Sequence, residues 1–366
     1  MNFEFDEDQN LLRDQAQGFL KDNCSAAVVR GILEGDAAYD AELWQKIVDM
    51  GYTATVIPEE FGGLGLSYLE LSVIAEELGR VAAPVPFSSS VYLATEALLL
   101  AGSTQQKETW LPRLAAGEVI GTFAFAEGHG RPSPSSLTSS VSDGKLTGTK
   151  LPVADGDAAG IAVVVANNGL YLVELDQDGV TRRDVPTLDP SRGHSRIEFA
   201  GAKAEALGDP GEGWALTQKI LDRAAVLFAW EQVGGSEASL EMAKEYALGR
   251  YAFGRPIASY QAIKHKLANM YVKNTLAKSN CYYGAWALNT GAPELGLAAA
   301  TARVSATQAY YFASKENIQT HGGMGFTWEF DCQLYYRRAK LLSVNIGSEG
   351  FWQDRLITAV EQSNAA

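Results

Sequence analysis

Residues 250–257 read RYAFGRPI, and they are followed by YQAIKH at 260–265 and LANM at 267–270. Two other stretches stand out in the same way. Residues 56–65 read VIPEEFGGLG with EELGR at 76–80, and residues 318–326 read IQTHGGMGF with Arg337 behind them. Each stretch alone is a weak signal. Their order and spacing over nearly the whole chain form a specific pattern, from which the fold can be predicted.

The periodicity of the sequence changes twice along the chain. Up to about residue 120, apolar residues recur at helical spacing, as in Leu43, Trp44, Ile47 and Val48. From 121 to 212, β-branched runs flank the turn signals DG at 143–144 and NNG at 167–169, which predict strands. After PGEG at 210–213, long segments rich in Ala, Leu and Glu predict helices. We therefore expect a helical domain over 1–120, a β domain over 121–212 and a helical domain over 213–366.

Composition excludes several classes of function. The net charge is −14, so no basic face is expected for nucleic acid. The longest apolar runs, such as residues 161–166, are too short to span a bilayer. The acidic start MNFEFDEDQN resembles neither a secretory signal nor a transit peptide, so a bacterial-type cytoplasm is expected.

Metal and nicotinamide chemistry are not expected either. The three cysteines are widely spaced without a CxxC, and the four histidines are scattered, so no metal site is expected. For His265 and His321 we expect structural roles. A GxGxxG fingerprint and a strand–helix alternation are both absent from the sequence, which argues against a nicotinamide dehydrogenase.

The three stretches quoted above resemble those of the acyl-CoA dehydrogenase family. The resemblance implies an α+β fold with an all-α N-terminal domain, a β-barrel or sandwich middle domain and a four-helix bundle at the C-terminus. It also implies an acyl-CoA substrate, FAD held between subunits, and an electron-transfer flavoprotein or similar acceptor. Residue by residue, Arg250, Phe253 and Gln261 match positions that hold the FAD diphosphate and adenosine of a neighbouring subunit.

A second set of matched positions, Gln319, Gly322 and Gly323, corresponds to the turn that receives the diphosphate from the other side. This assignment is chemically reasonable, because a guanidinium gives charge-assisted bonds to phosphate and glycines let backbone N–H groups approach it. Alone, each residue has an ordinary interpretation. Arg250 would be a solvated charge, Phe253 a core residue and the glycines a helix C-cap. Only the joint pattern favours the cofactor site.

The catalytic glutamate of the family is missing from both of its known places. That carboxylate takes the proton next to the thioester carbonyl, while the flavin takes a hydride from the next carbon. Counting from Gly322-Gly323 through Arg337 places Ile346 at the usual position, and counting back from residues 253–254 places Ala224 at the alternative one. Neither side chain accepts a proton. The nearest carboxylates, Glu349 and Glu231, are the candidates for a relocated base.

The region that contacts the flavin ring in the family also departs from the pattern. Residues 125–132 read FAEGHGRP, which keeps an acid and a glycine of the usual Thr-Glu-Pro-like turn but loses its Gly-Ser-Asp run. Residues 152–156 read PVADG where the family has a Trp-Ile-Thr-Asn-Gly strand. The sequence therefore predicts an FAD site that is intact where the diphosphate binds and altered where the flavin ring binds.

Three functional hypotheses follow. The first is that the chain resembles the glutamate-lacking subunit of bacterial heterotetrameric acyl-CoA dehydrogenases, known for bulky steroid-CoA thioesters, in which a homologous subunit supplies the glutamate. The second is a self-sufficient homotetramer in which Glu349 or Glu231 is the base. The third is a non-catalytic scaffold that binds flavin or CoA. Another flavin reaction on the same fold, such as hydroxylation or enoyl-CoA reduction, also stays open.

Overall fold

We describe the chain from a computed structural model, which covers residues 5–167, 169–209 and 211–365, with side chains described up to residue 362. The N-terminal residues 1–4 and the turn residues Asn168 and Pro210, used above, lie outside the described residues. Helices precede and follow a region of strands, which confirms the predicted α+β order.

The α-helices are α1 (Glu7–Asn23), α2 (Ala26–Glu34), α3 (Ala41–Asp49), α4 (Tyr68–Arg80), α5 (Glu96–Ala101), α6 (Thr104–Ala115), α7 (Gly213–Gly249), α8 (Gln261–Thr290), α9 (Leu295–His321), α10 (Cys332–Leu342) and α11 (Glu349–Ala365). The strands are β1 (Gly121–Ala124), β2 (Ser140–Ser142), β3 (Lys145–Ala154), β4 (Ile161–Ala166), β5 (Gly169–Glu174), β6 (Val180–Asp184), β7 (His194–Lys203), β8 (Glu205–Leu207), β9 (Tyr251–Ala252) and β10 (Arg255–Pro256). A π-helix covers Ser88–Thr95.

Contacts divide the chain into two compact units. The helical unit comprises Met1–Val29, Tyr68–Ala83 and Ala225–Ala366, and the sheet unit comprises Arg30–Ser67 and Pro84–Ala224. One boundary therefore falls inside α7. The division into three domains at 120/121 and 212/213 stays a prediction.

The sheet unit holds two four-stranded sheets, with strand orders β1-β4-β5-β8 and β2-β3-β7-β6. β4 is buried at all its residues and pairs parallel with β1 and antiparallel with β5, which suits its run of Val and Ile. The turn between β2 and β3 is formed by Asp143 and Gly144, both with positive φ. Such a turn twists in the same sense as its flanking strands, which is why DG predicts a hairpin correctly.

The helical unit is built on the long helices α7, α8 and α9. Small residues allow close approach, as where Gly284 of α8 lies against Ala302 of α9 and Val226 of α7. No helix in the described part of the chain is long and apolar enough to cross a membrane. Within the same described ranges, no group of three or more His, Cys, Asp or Glu side chains is arranged to hold a metal ion.

Candidate functional site

The stretch at 250–261 forms a projecting hairpin between α7 and α8. β9 and β10 pair antiparallel, and the turn between them is made by Phe253 (φ +53°) and Gly254 (φ +78°). A positive φ is costly for a bulky aromatic residue and tends to occur where function requires it. The ring of Phe253 is 97% exposed, so it is not a core residue. Arg250 and Gln261, at the two ends of the hairpin, are exposed as well.

The stretch at 318–326 ends α9 and turns sharply. Gly322 has φ +62° and ψ −136°, a conformation open mainly to glycine, and its N–H donates to the carbonyl of Gln319. No atom lies within 4 Å of the point where a Cβ would stand on Gly322 or Gly323. Gly322, Gly323 and the Gln319 side chain are all exposed. The turn therefore offers an open backbone surface that a side chain on either glycine would fill.

The structure brings these two stretches together within the helical unit. The ring of Tyr246, one helical turn before Arg250, stacks on the imidazole of His321 at a centroid distance of 4.1 Å. One turn earlier on both helices, the amide of Asn317 donates to the sulfur of Met242 at 3.3 Å. Because these contacts keep the same spacing on both helices, α7 and α9 run in parallel here and end side by side. The six matched positions thus lie at one end of the helical unit.

The EELGR segment at 76–80 has a packing role. A Cβ on Gly79 of α4 would lie 1.9 Å from the carbonyl oxygen of Glu231, and a Cβ on Gly234 of α7 would lie 1.8 Å from that of Glu76. Both helices therefore need glycine where their backbones touch. Around this crossing, the buried Glu76 pairs with Lys278 at 2.5 Å, and Lys278 also pairs with Glu237 at 3.0 Å. Burial raises the pKa of Glu76 against the opposing effect of Lys278.

The two positions that counting along the sequence matches to the family's glutamate are buried and apolar. Ile346 lies in the segment between α10 and α11 and is 3% exposed. Ala224 lies in α7 and is fully buried. Four residues before Ile346, the carbonyl of Leu342 at the end of α10 accepts a hydrogen bond from the guanidinium of the buried Arg303. The same guanidinium donates to the side-chain oxygen of Gln232 at 2.6 Å. Neither position offers an atom that accepts a proton.

Glu349, the first candidate for a relocated base, begins α11. Its Oε1 accepts hydrogen bonds from the side-chain amides of Gln308 at 2.8 Å and Gln353 at 3.0 Å. A carboxylate in the first turn of a helix is also favoured by the helix dipole. The contacts and position of Glu349 are those of a residue that stabilises a helix end.

Glu231, the second candidate, is 4% exposed in α7. Its carboxylate lies 4.0 Å from a guanidinium nitrogen of Arg338, and the same nitrogen donates to the carbonyl of Ala83 at 3.1 Å. Removing one partner of an ion pair at this depth strongly destabilises the folded protein. Glu231 therefore has a structural role within the helical unit.

The acid retained in the β region, Glu127, is also engaged. It accepts hydrogen bonds from the N–H and hydroxyl of Thr138, both at 2.6 Å, and from the ammonium of Lys150 at 2.7 Å. Burial acts to raise the pKa of Glu127, but these hydrogen bonds outweigh it and lower the pKa to about 2. Burial lowers the pKa of Lys150, whose ammonium also donates to the carbonyl of Val165. Nothing in the sequence singles out Lys150, because a lysine in a strand is normally exposed.

The segment 152–156 contributes to another buried ion pair. Asp155, with φ +53°, pairs with Arg192 at 2.7 Å and accepts a hydrogen bond from the hydroxyl of Ser89 at 2.5 Å. Arg192 also donates to the hydroxyl of Ser88 at 2.8 Å. The carboxylate of Asp155 is thus bonded to side chains of the sheet unit itself.

Comparisons with known proteins identify the family of the chain. The family model for the acyl-CoA dehydrogenase N-terminal domain matches residues 6–118, and the model for the acyl-CoA dehydrogenase C-terminal domain matches residues 211–359. Acyl-CoA dehydrogenase IpdE2 of Mycolicibacterium smegmatis is 34% identical over 91% of this chain and 92% of that protein.

Solved structures show the same similarity. The ChsE4-ChsE5 complex of Mycobacterium tuberculosis contains a chain that is 26% identical, with a TM-score of 0.90 over 99% of both chains. A variant of the steroid acyl-CoA dehydrogenase Tcur3481-Tcur3483 is also 26% identical, with a TM-score of 0.90 over 98% of this chain and 99% of that one.

Proposed function

The chain belongs to the acyl-CoA dehydrogenase family. We propose that it is the glutamate-lacking subunit of a heterotetrameric, FAD-dependent acyl-CoA dehydrogenase. A homologous subunit that carries the glutamate would complete the active site. The observation that carries the proposal is the contrast between the two ends of the site. The residues matched to the diphosphate end are exposed at neighbouring helix ends, whereas the two positions matched to the base hold buried, apolar Ile346 and Ala224.

The assembled end of the site fits the diphosphate of FAD. Arg250 is exposed and carries a positive charge, which suits a phosphate. Gly322 and Gly323 leave their backbone open to an anion, with no atom in the space of a Cβ. Phe253 and Gln261 stand exposed at the same hairpin, where an adenosine would be bound. When bound, FAD supplies the acceptor for the hydride.

The other half of the reaction needs a base. The proton next to the thioester carbonyl must pass to a carboxylate whose basicity is raised by burial. Within this chain, Glu349 is bonded to two amides and Glu231 is paired with Arg338, so neither is placed as a free base. These contacts favour a base from the partner over the self-sufficient homotetramer. This chain contributes to the flavin of that shared site a set of residues that we call the diphosphate grip: Arg250, Phe253, Gln261, Gln319, Gly322 and Gly323.

The surface of the helical unit supports a subunit partner. Large apolar side chains are exposed along α8 and around the two cofactor stretches: Tyr251, Phe253, Tyr271, Val272, Leu276 and Phe326. An open groove of about 520 Å³ lies between α7 and α8, and its lining includes Leu240, Leu267 and Asn274. Burying these exposed apolar side chains against a partner subunit would stabilise the complex.

The names of the similar proteins support a bulky substrate. One of them is a steroid acyl-CoA dehydrogenase, and another is a complex of two chains, ChsE4 and ChsE5. We therefore propose a steroid-type or comparably bulky acyl-CoA as the substrate and an electron-transfer flavoprotein or similar protein as the acceptor. The proposed location is the cytoplasm.

The test is to express the chain alone and together with the homologous subunit encoded beside it. Reduction of a dye by straight-chain and steroid side-chain acyl-CoA thioesters is then measured for each preparation. We expect activity only from the pair, and we expect Glu→Gln in the partner to abolish it. Activity from the chain alone would support the self-sufficient enzyme. Stable folding without activity in either preparation would support the scaffold.

A further inference from the structure

The ring stack between Tyr246 and His321 links the two halves of the diphosphate grip. Tyr246 lies on α7, and its carbonyl accepts a hydrogen bond from the N–H of Arg250 at 2.8 Å. His321 is the last residue of α9 and directly precedes Gly322. Their rings are inclined at only 27°. The stack thus joins the residue bonded to Arg250 with the residue that precedes the glycine turn.

Further contacts fix His321 in place. Its Nδ1 lies 2.9 Å from the carbonyl of Asn317, and because a carbonyl only accepts, Nδ1 carries the hydrogen. The ring of Phe330 lies edge-on to His321 at 5.5 Å and to Tyr246 at 5.8 Å. A Cβ on Gly325 would lie 2.5 Å from the carbonyl of Ile318 and 3.1 Å from the Cβ of His321, so the glycine turn folds back onto the histidine.

Burial favours the neutral form of the imidazole. His321 is 4% exposed, and burial lowers its pKa against the opposing effect of the Asn317 carbonyl. A neutral ring stacks on Tyr246 without bringing a charge into this buried contact. The ring itself is turned into the protein, whereas the exposed groups are the backbone and side chains on either side of it.

We propose that His321 is a positioning residue for the FAD diphosphate, and that its stack with Tyr246 sets the spacing between Arg250 and the Gly322-Gly323 turn. This inference rests on the proposed function. It adds that the grip is preorganised within one chain by two side chains that do not themselves touch the cofactor. Loss of either ring separates the two halves of the grip and weakens FAD binding.

The test uses the complex of the full chain with its homologous subunit, freed of flavin and titrated with FAD. Binding is followed by flavin fluorescence and folding by thermal unfolding of the apo complex. An aromatic pair is worth roughly a 2- to 12-fold change in an equilibrium constant, so Tyr246→Ala and His321→Ala should raise the Kd for FAD by about that factor or more. The double variant should lose no more than either single one, because both rings act through one contact.

Matched variants separate positioning from general stability. His321→Phe keeps a stacking ring and should restore the Kd to within about twofold of the wild type. Tyr283→Ala removes a ring that stacks on Trp286 in α8, away from the grip, and should leave the Kd unchanged. If His321→Ala does not fold, Tyr246→Leu, which keeps apolar volume without a ring, makes the same test.

The outcomes distinguish this inference from the function on which it rests. Folded Tyr246→Ala and His321→Ala complexes that bind FAD as tightly as the wild type would overturn the positioning role alone. An equal loss in the Tyr283→Ala control would also overturn it. A wild-type complex that takes up no flavin would overturn the proposed function and this inference with it.

Discussion

The side-chain amide of Gln308, on α9, donates a hydrogen bond to the carboxylate of Glu349, on α11, across 2.8 Å. This contact joins the first acid after Ile346 to α9. It explains why an acid three residues beyond Ile346 need not be a displaced catalytic base. The prediction that tests this interpretation most simply is a substitution at Glu349 itself.

Glu349→Gln should leave the activity of the complex within about twofold of the wild type. The variant keeps the size of the side chain and still offers an oxygen to the amides of Gln308 and Gln353. The measurement is kcat for dye reduction with the best acyl-CoA. Removal of a true general base lowers the rate by about 10²–10⁴, so a loss of that size would identify Glu349 as the base.

Arg250→Ala should weaken FAD binding in the complex, because a charge-assisted bond to phosphate is lost. Hydrogen bonds to charged groups contribute about 1.5–3 kcal/mol, so the Kd should rise by roughly 10- to 150-fold. Arg255→Ala is the matched control. It removes the same charge from the same hairpin, but Arg255 packs over the ring of Tyr260 at 4.1 Å. An equal rise in the Kd for FAD in both variants would show a general effect of positive charge and would contradict a specific role for Arg250.

Gly234→Ala should destabilise the helical unit without changing the chemistry of the complex. The added methyl group would lie 1.8 Å from the carbonyl oxygen of Glu76, so α4 and α7 must move apart. Overpacking of this kind costs about 1–3 kcal/mol or more, which thermal unfolding would detect as a lower Tm. Gly249→Ala, at the end of the same helix with no atom within 4 Å of its Cβ, is the control. An unchanged Tm for Gly234→Ala would contradict the close contact between α4 and α7 at this glycine.

Glu127→Gln should make the free energy of unfolding depend less on pH in the acid range. The pKa of Glu127 is lowered to about 2 in the folded chain, whereas an unfolded glutamate titrates near about 4.3. Its stabilising effect is therefore present above about pH 4.3 and is lost as the pH falls towards 2. Urea unfolding at pH 7, 4.5 and 3 measures this effect. The wild type should lose more stability than the variant between pH 4.5 and 3, and parallel losses would show that Glu127 contributes nothing in this window.

Much of the fold follows from local signals in the sequence. Asp143 and Gly144 form the positive-φ hairpin turn that a DG pair predicts. Residues 161–166, most of them β-branched, form a buried strand. The residues with helical periodicity around Trp44 form α3. The acyl-CoA dehydrogenase fold predicted from the three quoted stretches is confirmed by the family models and by the solved structures.

The contacts that define the site are long-range, so the sequence does not predict them. Tyr246 and His321 are 75 residues apart in number, and only the folded chain shows that their rings stack. Counting places Glu349 near the base position, but it does not show that Gln308 binds it. The pairing of Lys150 with Glu127 is hidden for the same reason, since burial of a lysine depends on partners from other strands.

The ratio of flavin to protein shows whether this chain shares an active site with a homologous subunit. Size-exclusion chromatography with a full absorbance spectrum is applied to the chain alone and to the co-expressed pair. We predict that the chain alone is colourless or unstable, and that the pair is yellow with about one FAD for every two chains. A yellow, active homotetramer of the chain alone, with one FAD in each subunit, would contradict the account.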